Sequence, residues 1–415
     1  MENLVRDAVL AFFLLRLAVE GGLVWLNLRH GAAAGPRVPE PLAGRVAPEV
    51  AERSWAYARS RGRIALVAMA WDAAVGLALL FSGALPALDA SLARAGLAGG
   101  WRFVAFLVGV GAASALAALP LSAWATFVVE ARFGFNRTTP ATWLLDRAKG
   151  AALSLAIAVP VLWGAWLLMA RTGSLWWLWV WGLLAAVQLV LLWLYPAVLA
   201  PIFNRFTPLP EGALRDRLTA LARETGFRSG GIYVMDASRR SGHSNAYFAG
   251  IFRPRIVLFD TLVSSMSVDE AAAVLAHEVG HYRLHHVAWR LTAGLVSSLA
   301  GLFVLSLLVR WPPLFHAFGF DAPAWGPAVA IASLAGGAFT FLATPVASRF
   351  SRRHEFAADR YAVRHGGSPA ALKDALVKLN GENLSNLQPH PWYAAWYASH
   401  PLLLERLAAI DRGTA

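Results

Sequence analysis

The most prominent pattern in the chain is a series of long apolar stretches separated by polar ones. The stretches cover residues 9–28, 64–85, 103–128, 151–170, 175–199, 287–309 and 324–347. Each has 20 to 26 residues, which at about 1.5 Å per residue of helix is enough to cross the hydrocarbon core of a bilayer. The pattern therefore predicts a mainly α-helical, polytopic membrane protein with about seven transmembrane helices. Because only "RTGS" separates the fourth stretch from the fifth, a number that differs by one stays open.

Two long segments lack this apolar character and predict regions outside the membrane. They divide the chain into residues 1–200 with five helices, 201–286, 287–347 with two helices, and 348–415. The run "TPLPEGALRDRLTALARETGF" in the second region has turn residues followed by an amphipathic helix pattern. Next come "GIYVM", "AYFAGIF" and "RIVLF", rich in β-branched and aromatic residues. They predict a small β-sheet.

Composition agrees with a membrane location. Of the 415 residues, 57% are hydrophobic and 15% are charged, against about 25% charged in soluble domains.

The chain has no cysteine, which excludes disulfides, cysteine-ligated zinc and a cysteine nucleophile.

The net charge of +12 raises the question of nucleic-acid binding, but its distribution favours another explanation. Arginines are concentrated in residues 29–63 and 132–147 and in both polar regions, and they are sparse in the alternate loops. This alternation is the positive-inside pattern. It predicts that the N-terminus is outside and that the C-terminus and both polar regions are cytoplasmic. We therefore expect the lipid bilayer as a partner, and no nucleic acid.

The stretch "SVDEAAAVLAHEVGHYRLHH" begins at Ser267 and predicts a helix with a well-defined start. Ser267 is a favourable N-cap residue, and Glu270, three residues later, completes a capping box. No glycine or proline interrupts the pattern before Gly280, so we expect one helix from about residue 268 that continues directly into the sixth membrane helix.

Two histidines on this helix have the spacing of a metal site. His277 and His281 are four residues apart and share one helix face, so both imidazoles reach one ion. Glu278 lies beside them, close enough to act on a water at the metal. This H-E-x-x-H arrangement is typical of zinc proteases. The alternative is a pair of surface histidines with ordinary hydrogen-bond partners.

A catalytic zinc needs a third protein ligand. His285 lies eight residues beyond His277, about 12 Å along a helix axis, which is too far for one ion. We therefore interpret His285 and His286 as interfacial polar residues. Glu355, in "HEFAAD", is the better candidate, because the seventh membrane helix is expected to run on through it to a stop at residues 366–367. Asp359 lies one turn further, either orienting a ligand or as an exposed helix charge.

"HEVGH" together with "SRRHEFAADRYA" resembles the type I CAAX prenyl proteases. The stretches "ARFGFNRTTP", "YPAVLAPIFNRFTPL", "SGHSNAYFAGIFRPRIVLFDTLV" and "SHPLLLERLAAI" extend the resemblance over nearly the whole chain. The resemblance implies a seven-span, zinc-dependent membrane endopeptidase whose helices enclose a chamber. It implies that His277, His281 and Glu355 bind one Zn²⁺ per chain and that Glu278 is the general base.

Further roles follow from the same resemblance. Asn245, in "HSNAY", matches a residue of an edge strand that holds the substrate backbone. His400, in "SHP", matches a polar group near the reacting carbonyl. Arg406 matches a residue that braces the site, through Asp359, and it is a second candidate for stabilising the oxyanion.

The sequence thus predicts an integral-membrane zinc metalloendopeptidase, similar to the protease that removes the C-terminal tripeptide of CAAX proteins. Its substrate would be a peptide or protein, with or without a lipid. The arginine bias and the short tail favour a bacterial inner-membrane protein with a cytoplasmic active site. A membrane-protein quality-control protease is an alternative that uses the same site. A transporter or channel is an alternative of another class, but it leaves the H-E-x-x-H helix unexplained.

Overall fold

The structure is a computed structural model that describes residues 1–227, 229–250, 254–365 and 368–413. The helices before the first strand are α1 (Glu2–Ala34), α2 (Pro48–Phe81), α3 (Ala84–Arg94), α4 (Gly99–Trp124), α5 (Pro140–Arg171), α6 (Trp176–Leu194) and α7 (Ala200–Phe203). Wider, π-helical turns continue two of them, α4 by Ala125–Glu130 and α6 by Tyr195–Leu199.

The rest of the chain begins with a small sheet and returns to helix. The elements are β1 (Phe206–Pro208), α8 (Ala213–Glu224), β2 (Ile232–Met235), β3 (Ala246–Ala249), β4 (Arg255–Phe259), α9 (Asp260–Ser265), α10 (Val268–Arg283), α11 (His286–Leu308), α12 (Pro312–His316), α13 (Trp325–Thr340), α14 (Thr344–His365), α15 (Pro369–Glu382), α16 (Pro391–Tyr397) and α17 (Leu403–Gly413). A short 3₁₀ turn joins α13 to α14, so the seventh membrane helix runs on to His365 as predicted. Its predicted stop, Gly366 and Gly367, lies outside the described residues.

Seven helices of the described chain are long and apolar enough to cross a membrane, as the sequence predicts. They are Glu2–Ala34, Pro48–Phe81, Gly99–Glu130, Pro140–Arg171, Gly173–Phe203, His286–Leu308 and Trp325–His365. Each contacts the next one along the chain, and the seventh returns to contact the first. The spans therefore form a closed ring.

The ring is packed at its ends and open between them. One hydrophobic core joins the start of α1 to the end of α2, the start of α4, the end of α5 and the start of α13. A second core lies at the opposite end, among the sheet and the helices of the polar regions. Between the two, no residue of 111–128, 141–164, 181–199 or 287–305 is buried. A solid bundle buries a stripe of every helix, so this pattern indicates an open interior.

The sheet has the strand order β1-β2-β4-β3. β2 and β4 are parallel, whereas β1 pairs antiparallel with β2 and β3 pairs antiparallel with β4. Strands β2, β3 and β4 fall on the three predicted runs. The last two residues of the run "AYFAGIF", 251 and 252, lie outside the described residues. β3 is an edge strand, and Asn245 directly precedes it. The short strand β1 is not predicted by the sequence pattern.

The capping box at the start of α10 is present as predicted, since Ser267 and Glu270 each accept the hydrogen bond of the other's backbone N–H. The prediction that this helix continues directly into the sixth span is wrong. α10 ends at Arg283, His285 adopts a left-handed backbone conformation with φ 57°, and α11 begins at His286. No glycine or proline marks this break, so local sequence gives no signal for it.

Candidate metal centre and active site

The site is built where α10 crosses α14, and a glycine sets how closely they approach. A Cβ added to Gly280 would lie 3.0 Å from Cβ of Tyr361 and 3.1 Å from Cα of Ala358. Gly280 lies between His277 and His281 on the face of α10 that meets α14. Only glycine permits this approach without displacing α14, because ordinary carbon contacts are about 3.5–4.0 Å.

The crossing brings His277, His281 and Glu355 together. Their ligand atoms lie within 4.8 Å of one another, and all three residues are buried. The two Nε2 atoms are 3.2 Å apart. Glu355 places Oε2 3.4 Å from Nε2 of His277 and Oε1 3.2 Å from Nε2 of His281. The three side chains therefore converge on one point.

The chemistry of this donor set fits a divalent metal. Two imidazoles and one carboxylate are a common set of ligands for a catalytic metal that keeps an open position. Oε2 of Glu355 is buried without a hydrogen-bond partner in the described residues, a costly condition that an ion would relieve. The histidines also have their Nδ1 atoms engaged elsewhere, which leaves Nε2 as the ligand atom.

Asp359 and Arg406 support His277 from behind. Oδ1 of Asp359 lies 2.8 Å from Nδ1 of His277. Arg406 donates Nε–H to Oδ2 and Nη2–H to Oδ1 of the same carboxylate, at 2.8 and 2.6 Å. Asp359 is buried, so the alternative of an exposed helix charge is wrong. Burial alone would lower the pKa of Arg406, but its hydrogen bonds to Asp359 raise it, so the guanidinium stays charged.

One cavity of about 610 Å³ contains the remaining predicted residues. Its lining includes Asn245, Glu278 and His400, together with His277, Glu355 and Arg406. Burial raises the pKa of the Glu278 carboxyl, an effect that the neighbouring His277 and His281 oppose. A carboxyl group whose pKa is raised towards neutral pH can both accept and release a proton more readily during hydrolysis.

His400 faces the cavity beside Glu355. Its Nε2 lies 3.6 Å from Oε1 of Glu355, and its Nδ1 lies 3.0 Å from Oγ of Ser399. Although 64% of the side chain is open to the cavity, the protein around it desolvates the ring enough to lower the pKa of His400. A neutral imidazole that accepts the Ser399 hydroxyl at Nδ1 presents its N–H at Nε2.

α14 also fixes the segment that carries His400, a feature that sequence reasoning missed. Ser348 donates its hydroxyl to the carbonyl of Trp396 at 2.7 Å. Arg352 donates Nη1–H to the carbonyls of Ala394, Ala395 and Ala398 at 3.3, 3.2 and 2.8 Å. A signal was present, because Ser348, Arg352, Glu355 and Asp359 recur at helical spacing.

A second polar network, also not foreseen, holds the segment before β3. The Asn383 amide accepts from Ser244 N–H at 3.2 Å and donates to the Ser244 carbonyl at 3.1 Å. Its oxygen lies 2.9 Å from Nδ1 of His243, whose Nε2 lies 3.3 Å from Glu130 on the third span. Asn245 itself bonds through Oδ1 to the N–H of Ala246 at 2.8 Å. The edge strand is thus tied both to α15 and to the ring.

The two histidines that follow α10, His285 and His286, lie in different environments. His285 is exposed. His286 is buried, and its Nδ1 lies 3.0 Å from Nδ1 of His281. The interpretation of His286 as an interfacial residue is therefore wrong, since the helix break turns its side chain back into the site.

Comparison with known proteins agrees with this architecture. Residues 27–205 match the family described as CAAX prenyl protease N-terminal, five membrane helices, and residues 208–414 match peptidase family M48. A CAAX prenyl protease 1 homolog from Oryza sativa is 36% identical over 98% of this chain and 97% of its own length. CAAX prenyl protease 1 from Saccharomyces cerevisiae is 33% identical over 90% of this chain and 88% of its own length.

A solved structure shows the same fold. The crystal structure of S. mikatae Ste24p superposes with a TM-score of 0.90 at 30% identity, and covers 98% of this chain and 99% of that one. With its buried His277–His281–Glu355 cluster and its seven spans, this chain belongs to the CAAX prenyl protease 1 family of integral-membrane metallopeptidases, in peptidase family M48.

Proposed function

We propose that the metal of this peptidase is zinc, that His277, His281 and Glu355 bind it, and that Glu278 is the general base. The observation that carries the proposal is the convergence of two imidazoles and a buried carboxylate at a cavity that Glu278 also lines. Bound zinc supplies Lewis acidity towards water and towards the scissile carbonyl. The remaining roles belong to residues of the chain.

Glu278 takes a proton from the attacking water as the new C–O bond forms. It then delivers that proton to the amide nitrogen as the C–N bond breaks, so the products are an amine and a carboxylic acid, which loses its remaining proton to water. His400, with its N–H at Nε2, donates a hydrogen bond to the developing oxyanion. Arg406 donates hydrogen bonds from Nε and Nη2 to Asp359, and its Nη1 lies 3.9 Å from Oε2 of Glu355. This favours a bracing role for Arg406 over direct contact with the substrate.

The substrate is expected to bind as an extended strand. β3 is one of the two outer strands of the sheet, and Asn245 lies where β3 reaches the cavity. A peptide that adds to such an edge is recognised mainly through its backbone, with Asn245 holding it near the metal. The Asn383 amide keeps this edge in place by pairing with both the backbone N–H and the backbone C=O of Ser244.

The relatives are named for CAAX proteins, and we propose that this chain likewise cleaves close to a substrate's C-terminus. A lipid on the substrate is expected to help but not to be required. The open interior of the ring accepts any apolar chain, and burial there contributes about 0.8 kcal/mol per CH₂ group, mostly to affinity.

We further propose that residues 201–286 and 348–415 form the cytoplasmic part of the protein and that 1–200 and 287–347 supply its membrane helices. The arginine-rich loops support this orientation. The excess of arginine over lysine, 34 residues against 3, supports a bacterial inner membrane as the location.

The test compares one peptide with and without a farnesyl group, with cleavage positions mapped by mass spectrometry. A chelator should abolish the activity, and added zinc should restore it. We expect cleavage of both peptides near the C-terminus, with a lower KM for the farnesylated one. Cleavage of only the farnesylated peptide would refute the permissive substrate class. Cleavage of neither, together with degradation of damaged membrane proteins, would favour quality control.

A further inference from the structure

The break between α10 and α11 places His285, a residue with a side chain, in a left-handed backbone conformation. Among the described residues other than glycine, only His285 and Leu384 have a positive φ. Residues with a side chain rarely adopt this conformation, because Cβ then approaches the following carbonyl oxygen. A left-handed histidine beside a metal site therefore indicates that the turn serves the site.

The turn brings His286 to His281. On a continuous helix, residues five apart lie about 140° apart around the axis and about 7.5 Å apart along it, so their side chains do not meet. In the structure, Nδ1 of His286 lies 3.0 Å from Nδ1 of His281. The contact therefore depends on the break.

The surroundings fix the His286 ring in this position. The ring is buried and stacks on His354 at 4.0 Å, with the two planes 11° apart. The ring of Trp289 packs edge-on against His354 at 5.2 Å. A stacked ring of this kind has little freedom to turn away from His281.

We propose that His286 is a positioning residue for His281 and selects the tautomer that binds the metal. If Nδ1 of His281 carries the proton, its Nε2 has a free lone pair facing His277 and Glu355. His286 must then accept at Nδ1 and carry its own proton at Nε2. The opposite arrangement would protonate Nε2 of His281 and remove it as a ligand. This inference rests on the ligand set proposed above.

The two histidine ligands thus have different supports. A buried carboxylate, paired with Arg406, stands behind His277, whereas an imidazole stands behind His281. A carboxylate makes its histidine a stronger donor. An imidazole orients His281 without adding a second negative charge, which leaves the metal a stronger Lewis acid.

Zinc affinity and zinc release of the full-length protein, measured by competition with a chelator, test the proposal without reference to activity. His286→Leu should weaken zinc binding about 10- to 100-fold, as loss of other groups behind a metal ligand does. His286→Asn places an amide oxygen close to the position of Nδ1, and it should retain most of the affinity. His285→Asn, the matched control, removes the neighbouring histidine with a residue that tolerates the left-handed backbone, and it should bind zinc like the wild type.

His281→Asn separates this proposal from the ligand set. If His281→Asn loses zinc while a folded His286→Leu binds it with wild-type affinity and release rate, the role of His286 is refuted and the ligand set stands. If His281→Asn keeps wild-type affinity, the ligand set fails and takes this proposal with it. Should His286→Leu not fold, His286→Gln replaces it. Its amide extends past the Nδ1 position, so wild-type affinity in that variant is equally a refutation.

Discussion

Replacing Gly280 by alanine should open the crossing of α10 and α14. The added methyl group would lie 3.0 Å from Cβ of Tyr361, 3.1 Å from Cα of Ala358 and 3.2 Å from the Ala358 carbonyl oxygen. None of these atoms is the end of a flexible side chain. The backbone of α14 must therefore move, and Glu355 and Asp359 move with it.

The size of the effect follows from these distances. Restoring carbon contacts to about 3.6–3.8 Å requires a shift of about 0.5–0.8 Å, whereas metal–ligand distances tolerate only about 0.2 Å. Overpacking of this kind costs about 1–3 kcal/mol, and the better helix propensity of alanine offsets about 1 kcal/mol of the loss in unfolding free energy. If the strain is relieved when the metal leaves, zinc affinity should fall about 5- to 150-fold.

The assay measures zinc affinity by chelator competition, along with kcat and the melting temperature. Gly294→Ala is the matched control, because Gly294 is also helical and an added Cβ there meets nothing within 4 Å. It should leave zinc affinity unchanged. If Gly280→Ala binds zinc as tightly as the wild type and cleaves peptide at the same rate, the close crossing does not set the geometry of the site.

The contacts around the cavity give two further expectations, and the distribution of arginines gives a third. Arg352→Gln should lower kcat about tenfold with zinc content unchanged, because it frees the segment that carries His400; an unchanged kcat would contradict the positioning role. Asn383→Ala should raise KM more than it lowers kcat, since it loosens the substrate edge; a change confined to kcat would contradict this. Reporter fusions at Arg45 should read cytoplasmic and fusions at Gly173 external, because arginines alternate between the loops; the reverse result would invert the proposed orientation.

Local and periodic features were readable from the sequence. The membrane helices, the capping box at Ser267 and the convergence of His277 with His281 all depend on spacing within one element. The meeting of Glu355 with these histidines required only that two helices emerge at the same end of the ring. The family resemblance added Asn245, for which spacing alone gives no role.

Features that depend on tertiary contacts were not readable. The turn at His285 has no glycine or proline, and it is stabilised by where His286 packs. Arg352 shares a helix face with Glu355 and Asp359, which marks its position, but its partners are backbone carbonyls and these leave no pattern in the sequence. Strand β1 is too short to show alternation, and Asn383 meets Ser244 only because the chain returns from a distance of 139 residues.

Zinc content and peptidase activity, measured together on purified Glu278→Gln, test the proposed mechanism most directly. Glu278 lies beside the proposed ligands rather than among them, so the variant should hold one zinc per chain and lose activity by about 10²–10⁴-fold. Asp269→Asn, which likewise replaces a carboxylate by its amide but at an exposed position of the same helix, should keep both the zinc and the activity. Wild-type turnover by Glu278→Gln, or loss of its zinc, would contradict the central claim that Glu278 moves the proton at a metal held by His277, His281 and Glu355.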